Sequence, residues 1–357
     1  MRGVVSEDGV AVLKDVPIPI PREGQLLIRV QTCAVNRLDL LQAAGKYPPP
    51  KDAGPVLGVE ICGTILSVGV GCRGDWHEGE QVVALVSGGG YSEFCVCDER
   101  TAWRNRWQDL GLGQLSAIPE AMMTAYQLLF LVGNVKRGET ILVHAAASSI
   151  GQMLIQMCVR KGVRVYTTCR SAEKVSLCLQ LGATECLVLD EVRSGFSERI
   201  KELTRNQGVH CVFCPVGNAY FLENVESLAI DGRYILYGTL SGASKELGGA
   251  VLGKLLGKRI AVLPSTLRTR SPDYKADLAA AVAADEECGL SAIGEAEGNI
   301  KILVDEVFAL EDFAEAHTKM AANRNMGKLV LTVTETANAI EFFRRELSEI
   351  VDRYKDK

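Results

Sequence analysis

The chain has 357 residues, 47% of them hydrophobic, and its 39 Lys and Arg against 44 Asp and Glu give a net charge of −5. This length predicts roughly two domains, each large enough to bury a core. The acidic balance argues against a nucleic-acid partner or an anionic membrane surface, and no apolar run reaches the roughly 18 residues of a membrane span. Since no signal or transit peptide is recognisable, we expect a soluble cytoplasmic protein.

Residues 1 to about 120 are predicted to be rich in β-strands, because short apolar runs at 26–30, 63–68 and 81–86 alternate with Gly and Pro clusters. This spacing is typical of a small barrel or sandwich. From residue 121 strand-like and helix-like segments alternate strictly, which predicts parallel βαβ crossovers and a doubly wound sheet. The predicted strands lie at 140–143, 164–167, 186–189, 211–213 and 233–237, and the predicted helices run to 159 and over 172–181, 196–205 and 220–229.

The chain from about residue 300 predicts a return to the first domain, with a strand at 301–308, a helix at 310–323 and a strand at 328–334. Residues 336–357 have apolar residues at helical spacing and predict an amphipathic C-terminal tail. We therefore predict an α/β protein with one domain over 1–120, completed by 300–335, and a second domain over 121–299.

The twelve cysteines are spread along the chain and lie mostly inside apolar patterns. Free core cysteines are the expected state in a reducing cytosol. Cys211 and Cys214 do form a C-x-x-C pattern, but they lie in a predicted strand and point to opposite faces. We therefore give this pair no metal or redox role.

A candidate nucleotide-binding loop connects the strand at 140–143 to the following helix. In G-x-G-x-x-G register the glycine positions hold Ala146, Ser148 and Gly151. The small residues permit close approach of a pyrophosphate, and the hydroxyls of Ser148 and Ser149, with Ile150 and Gly151 at the helix start, could bind it. A strand-turn-helix without a ligand is the alternative.

The second strand-helix junction indicates which nucleotide is bound. NAD enzymes usually carry Asp or Glu at the end of this strand, whereas this chain places Arg170, Ser171 and Lys174 there. Cations and a hydroxyl favour the 2′-phosphate of NADPH. The alternative is a helix N-cap serine with two solvated cations.

Residues 35–48 contain the pattern V-N-x-x-D-x-x-x-x-x-G-x-Y-P, and residues 58–63 contain the pattern G-x-E-x-x-G. These motifs resemble those of the zinc-free quinone oxidoreductases of the medium-chain dehydrogenase/reductase superfamily. Further similar blocks lie at 87–94, 117–121, 129–135, 232–238 and 325–331. The segments at 71–79, 89–91 and 267–275 most resemble the tumour-protein-inducible quinone oxidoreductase subgroup.

The resemblance implies a GroES-like catalytic domain, a Rossmann NADPH-binding domain and the cofactor between them. It implies that Tyr47 and Asn36 face the acceptor, where either could instead be structural. The further cofactor-binding residues that it implies are Thr124, Gly238, Thr239, Leu240, Ser265, Leu267, Arg270, Asn325 and Lys328. A helix-start role for Thr124 and a solvated side chain for Lys328 are the competing interpretations, and His144 is expected to be a satisfied structural histidine.

The chain also departs from its superfamily. Asn36 and Val59 replace the Cys and His of zinc alcohol dehydrogenases, so no catalytic zinc is expected. Ser149 replaces a family glycine, Cys214 a common strand-end Asp, and Leu189 a Tyr often found near the 2′-phosphate.

The predicted function is NADPH-dependent reduction of a quinone by hydride transfer without a metal. An alkenal, enone or enoyl-thioester reductase is the alternative within enzymes, and a non-catalytic NADPH-binding sensor or scaffold is the alternative outside them. By resemblance we also expect a homodimer joined through the edge strand near Arg259–Leu263. The acceptor itself, and whether one or two electrons are delivered, stay open.

Overall fold

A computed structural model describes residues 1–50, 53–189, 195–242 and 251–333. By its internal contacts the chain forms two compact units. The first comprises Met1–Ala117, Glu306–Arg324 and the segment that begins at Leu329; the second comprises Ile118–Asp305 and Asn325–Lys328. The domain boundaries proposed from the sequence stay predictions, and the predicted tail at 336–357 lies outside the described residues. No helix in the described ranges is long and apolar enough to cross a membrane.

The strands of the described residues are numbered in chain order. They are β1 (Arg2–Glu7), β2 (Val10–Asp15), β3 (Gln25–Val35), β4 (Glu60–Val68), β5 (Gln81–Leu85), β6 (Phe94–Asp98), β7 (Ala102–Arg104), β8 (Thr140–Val143), β9 (Arg164–Cys169), β10 (Glu185–Val188), β11 (Val209–Cys214), β12 (Leu228–Leu236), β13 (Ala261–Pro264), β14 (Val304–Ala309) and β15 (Lys328–Thr332).

The α-helices are numbered in the same way. They are α1 (Arg37–Ala43), α2 (Leu112–Ser116), α3 (Pro119–Tyr126), α4 (Ser149–Arg160), α5 (Val175–Gln180), α6 (Phe196–Leu203), α7 (Phe221–Ser227), α8 (Val251–Lys258), α9 (Pro272–Ala284) and α10 (Phe313–Ala321). Helix α3 continues into a π-helical turn, Gln127–Val132.

The second unit is built on a six-stranded sheet in the order β10-β9-β8-β11-β12-β13. Each neighbouring pair runs parallel, which confirms the doubly wound fold predicted from the alternation of strands and helices. The order reverses between β8 and β11, and such a switch point is where open α/β sheets bind ligands, at the carboxyl ends of the strands. The strands are near-continuous apolar runs because helices cover them; Val212 and Tyr234 are fully buried.

The first unit holds a sheet in the order β14-β15-β3-β4-β5-β7, with β6 also paired to β3, and a hairpin of β1 and β2. Strand β3 pairs antiparallel with β4, β6 and β15. The G-x-E-x-x-G block shapes this sheet: a Cβ at Gly63 would lie 2.2 Å from the Arg29 carbonyl oxygen, so only glycine allows β3 and β4 to approach this closely. Gly58 has φ +90° and a Cβ there would lie 2.7 Å from the Tyr91 backbone nitrogen.

Candidate nucleotide-binding site

The loop between β8 and α4 is built to turn sharply and to cap a helix. Ala145 adopts a positive φ of 50°, and Ser148 is the N-cap of α4, where its Oγ accepts a hydrogen bond from Gly151 N at 3.2 Å. The side chains of Ser148, Ser149 and Ile150 are half-buried. The loop thus places a helix N-terminus, with its amide groups and dipole, at the carboxyl end of β8.

Gly151 is needed for the packing of α4 against this loop. A Cβ at this position would lie 2.6 Å from the Ala146 carbonyl oxygen and 2.7 Å from the Ala145 carbonyl oxygen. Both neighbours are backbone atoms, which cannot move aside without shifting the helix. The third glycine of the phosphate-binding pattern is therefore retained where the geometry requires it, while Ala146 and Ser148 are tolerated at the other two positions.

Arg170, Ser171 and Lys174 lie directly after β9, in a segment that leads into α5. Arg170 is exposed and Lys174 is half-buried, and Lys174 Nζ donates a hydrogen bond to the Asn325 carbonyl oxygen at 3.1 Å. Burial, and after it the nearby Arg170 charge, lowers the pKa of Lys174. Two neighbouring cations repel each other, and an anion bound between them would relieve that repulsion.

The loops after β12 and β13 end at the same edge of the sheet. A Cβ at Gly238 would lie 2.7 Å from the Pro215 carbonyl oxygen, so the β12 loop passes close to the backbone after β11. Ser265 is buried and its Oγ accepts a hydrogen bond from Gln127 Nε2 at 3.0 Å. Of the other residues predicted in these loops, Thr239 and Leu240 are exposed and Leu267 is buried. The guanidinium of Arg270 stacks 4.7 Å from the Tyr274 ring centre.

Thr124 and Lys328 share a partner that the sequence reasoning missed. Thr124 Oγ1 donates to Glu120 Oε1 at 3.0 Å, and Lys328 Nζ lies 3.6 Å from Glu120 Oε2. The Lys328 side chain is 2% exposed and that of Glu120 10%, so the solvated lysine of the alternative interpretation is wrong. Glu120 follows Pro119 in the first turn of α3. In the sequence, an acidic residue at this position indicates only that a helix begins there.

Asn325 belongs to the second unit and lies next to the strand that contains Lys328. Its Nδ2 donates to the Gly327 carbonyl oxygen at 2.9 Å, and its own carbonyl accepts from Lys174. Asn325 therefore fixes the position of one of the two cations after β9.

His144 is a fully buried, neutral structural residue, as the sequence reasoning preferred. Its Nε2 lies 2.6 Å from Asn224 Oδ1 and its Nδ1 2.7 Å from Thr168 Oγ1. An amide oxygen only accepts, so Nε2 carries the proton and the Thr168 hydroxyl donates to Nδ1. Burial lowers the pKa of His144 to about 4.

Asn36 and Tyr47 both lie in the first unit. Asn36 is buried; its Nδ2 donates to Glu60 Oε1 at 2.9 Å and to the Ala34 carbonyl oxygen at 3.3 Å, and its backbone N–H donates to Asp39 Oδ2 at 2.7 Å. These contacts fix the start of α1. Tyr47 is half-buried.

All twelve cysteines are free thiols. Cys211 and Cys214 are both buried in β11, and Cys214 Sγ accepts a hydrogen bond from Gly217 N at 3.4 Å. Within the described ranges, no group of three or more His, Cys, Asp or Glu side chains is arranged to hold a metal ion.

Two family models match the chain in adjacent regions. The alcohol dehydrogenase GroES-like domain matches residues 22–130, and the zinc-binding dehydrogenase model matches residues 149–284. Prostaglandin reductase-3 of Bos taurus is 28% identical over 356 residues, covering 93% of this chain and 87% of that protein. The quinone oxidoreductase of Homo sapiens is 26% identical over 328 residues, covering 90% of this chain and 94% of that protein.

A solved mycobacterial structure, complexed with NADPH, has a TM-score of 0.81 and 30% identity, and the match covers 93% of this chain and all of that one. The chain also matches mycobacterial polyketide synthases, of whose length it spans only 14–15%. A GroES-like first unit, a Rossmann-type second unit and three relatives matched over 87%, 94% and 100% of their own length agree, and the chain therefore belongs to the medium-chain dehydrogenase/reductase superfamily.

Proposed function

We propose that this protein is an NADPH-dependent quinone oxidoreductase that works without a metal. The main support for NADPH as the cofactor is a pair of neighbouring cations, Arg170 and Lys174. They lie with Ser171 after the end of β9, where NAD enzymes carry an acid. The related protein that was solved with NADPH supports the same cofactor. The quinone acceptor is supported by the relative named a quinone oxidoreductase.

The residues of the second unit fit the parts of NADPH. The α4 N-terminus, with Ser148, Ser149 and Ile150, would hold the pyrophosphate, and Gly151 lets the backbone approach it closely. Arg170, Ser171 and Lys174 would hold the 2′-phosphate. The residues that would orient the nicotinamide and its ribose are Thr124, Gly238, Thr239, Leu240, Ser265, Leu267, Arg270, Asn325 and Lys328.

A catalytic zinc does not fit this chain. Such a zinc needs three protein ligands with nitrogen, sulfur or oxygen donors. At the positions where zinc-dependent relatives carry Cys and His, this chain has Asn36 and Val59, and Asn36 holds Glu60 by a hydrogen bond. The acceptor must therefore be electrophilic by itself, as quinones and activated alkenes are.

When bound, NADPH would supply a hydride. The protein would then orient NADPH and the acceptor, and it would donate a hydrogen bond to the acceptor oxygen that gains negative charge. We propose Tyr47 as that donor, because the resemblance places its phenol towards the acceptor; the Nδ2 group of Asn36 donates to two acceptors of the protein.

A comparison of acceptors tests the proposed reaction. We expect faster NADPH oxidation with a naphthoquinone or phenanthrenequinone than with an α,β-unsaturated aldehyde, and a loss of about five-fold in kcat for the quinone in Tyr47→Phe, as one hydrogen bond contributes about 1 kcal/mol. Faster turnover of the aldehyde would instead favour an alkenal, enone or enoyl-thioester reductase. Tight NADPH binding without turnover of any acceptor would favour a non-catalytic sensor or scaffold.

A comparison of cofactors tests the 2′-phosphate site. Arg170→Ala and Lys174→Ala should each weaken NADPH binding by about ten-fold or more, since each removes a charge-assisted hydrogen bond, and should leave NADH binding unchanged. Equal losses for the two cofactors would contradict the assignment.

We also propose a homodimer joined through β13. This strand is the edge of the parallel sheet, so one side of its backbone can pair with a second copy. Light scattering on the purified protein measures the mass: a dimer is expected, and a monomer at micromolar concentration would contradict it.

A further inference from the structure

Three cysteines of the second unit converge beside the Arg170–Lys174 segment. Cys169 is the last residue of β9, Cys186 lies in β10, and Cys178 lies in α5. Cys186 Sγ is 3.5 Å from Cys169 Sγ. In the parallel register Cys186 lies opposite Thr167, two residues before Cys169, so both thiols point to the same face of the sheet.

The three thiols differ in exposure and in hydrogen bonding. Cys169 and Cys178 are buried, whereas Cys186 is half-buried and reachable from solvent. Cys186 Sγ donates its thiol hydrogen to Cys169 Sγ, while the thiol hydrogen of Cys169 is donated to the Ser171 carbonyl oxygen. Because access governs thiol oxidation, Cys186 is the thiol that an oxidant meets first.

The segment between Cys169 and Cys178 contains Arg170, Ser171 and Lys174. Cys169 Sγ donates a hydrogen bond to the Ser171 carbonyl oxygen at 3.2 Å, so one of the three thiols directly holds the backbone of this segment. Oxidation of Cys169 removes the thiol hydrogen and therefore breaks this contact with Ser171.

We propose that Cys186 and Cys169 form an oxidisable thiol pair that hydroperoxides convert to a disulfide, and that the disulfide weakens binding at the neighbouring phosphate site. The Cys186 thiolate attacks the peroxide: an S–O bond forms, the O–O bond breaks, and an alcohol or water leaves. The Cys169 thiol then attacks the resulting sulfenic acid, an S–S bond forms, and water leaves. Two thiols lose two electrons in total and the hydroperoxide gains them.

The disulfide requires a backbone shift. Strands spaced about 4.8 Å apart and offset by two residues of about 3.3 Å place the two Cα atoms roughly 8 Å apart, beyond the roughly 6.8 Å that a disulfide spans. Among the described residues, strand β10 is the edge of the sheet and pairs with β9 alone, so it can shift without breaking a second ladder there. The shift and the loss of the Cys169–Ser171 hydrogen bond both act on the segment that carries the two cations. The expected weakening of NADPH binding rests on the proposed function, whereas the thiol chemistry does not.

Mass spectrometry of the full chain tests the thiol chemistry. After treatment of the reduced protein with hydrogen peroxide, we expect a loss of two alkylatable thiols, a cross-linked peptide joining Cys169 to Cys186, and reversal by dithiothreitol. Cys186→Ser and Cys169→Ser should abolish the cross-link. Cys72→Ser is the matched control, because Cys72 is another half-buried thiol and lies in the first unit; it should leave the cross-link unchanged. Irreversible oxidation of Cys186 alone, or a link through Cys178, would overturn the proposal.

Cofactor titration tests the consequence. The oxidised protein should bind NADPH at least about five-fold more weakly than the reduced protein, bind NADH equally in both states, and recover on reduction, while Cys186→Ser should show no response to peroxide. A disulfide that leaves NADPH binding unchanged would overturn the coupling to the phosphate site. Failure of the reduced protein to prefer NADPH over NADH would instead overturn the proposed cofactor, whatever the thiols do.

Discussion

At the scale of single residues, the buried ion pair of Glu120 and Lys328 is the most consequential contact of the candidate site. The two charges lie 3.6 Å apart with almost no exposure. A buried pair contributes little net stability when intact, because desolvation offsets the attraction, but loss of one partner leaves a buried charge without its counter-charge.

We therefore expect Glu120→Gln and Lys328→Met each to lower the free energy of unfolding by about 3 kcal/mol, and the double variant to lose less than the sum. Urea unfolding of the four proteins measures this cycle. Thr124→Val is the control, since it removes only a neutral hydroxyl donor from Glu120 and should cost about 1 kcal/mol. Additive losses in the double variant would show that the two charges are not coupled.

At the scale of elements, the junction of β8 and α4 depends on one glycine. Gly151→Ala should lower the free energy of unfolding by about 2 kcal/mol and weaken NADPH binding, because its Cβ would meet two backbone carbonyls. Gly253→Ala in α8 is the matched control: its Cβ would meet nothing within 4 Å, and alanine in place of glycine stabilises a helix interior by about 0.5–1 kcal/mol. Calorimetry on both variants measures the difference, and equal midpoints would contradict the packing role of Gly151.

Elements with a strong local pattern could be predicted from the sequence, and contacts between distant elements could not. The alternation from residue 140 to 237 predicted β8 to β12 because buried parallel strands are short apolar runs bounded by polar turns. Glu120 was not found, because only the folded chain brings α3 beside the start of β15. The thiol group was not found either: Cys169, Cys178 and Cys186 share no spacing motif, and the register of β9 with β10 is what places two of them in contact.

At the scale of the whole molecule, each unit carries one histidine with a lowered pKa: His144, which is fully buried, and His317, which is half-buried. Burial lowers the pKa of His144 in the second unit and of His317 in the first unit to about 4, against an ordinary value of 6.5. His317 packs between the rings of Tyr91 and Phe313, with ring centres 5.9 and 5.7 Å away. Both units should therefore lose stability in the same range of pH.

The sign follows from the protons that each state binds. Between pH 6.5 and about 4 the unfolded chain takes up a proton at each histidine that the folded chain does not, so the stability present above pH 6.5 falls as the pH falls. A histidine with these two pKa values contributes a loss of about 2 kcal/mol between pH 7 and pH 5. His317→Leu removes the titrating group and keeps an apolar side chain against Tyr91 and Phe313. In urea unfolding at the two pH values the variant should lose about 2 kcal/mol less than the natural protein; an equal loss in both would mean that the folded protein protonates His317 as readily as the unfolded chain does.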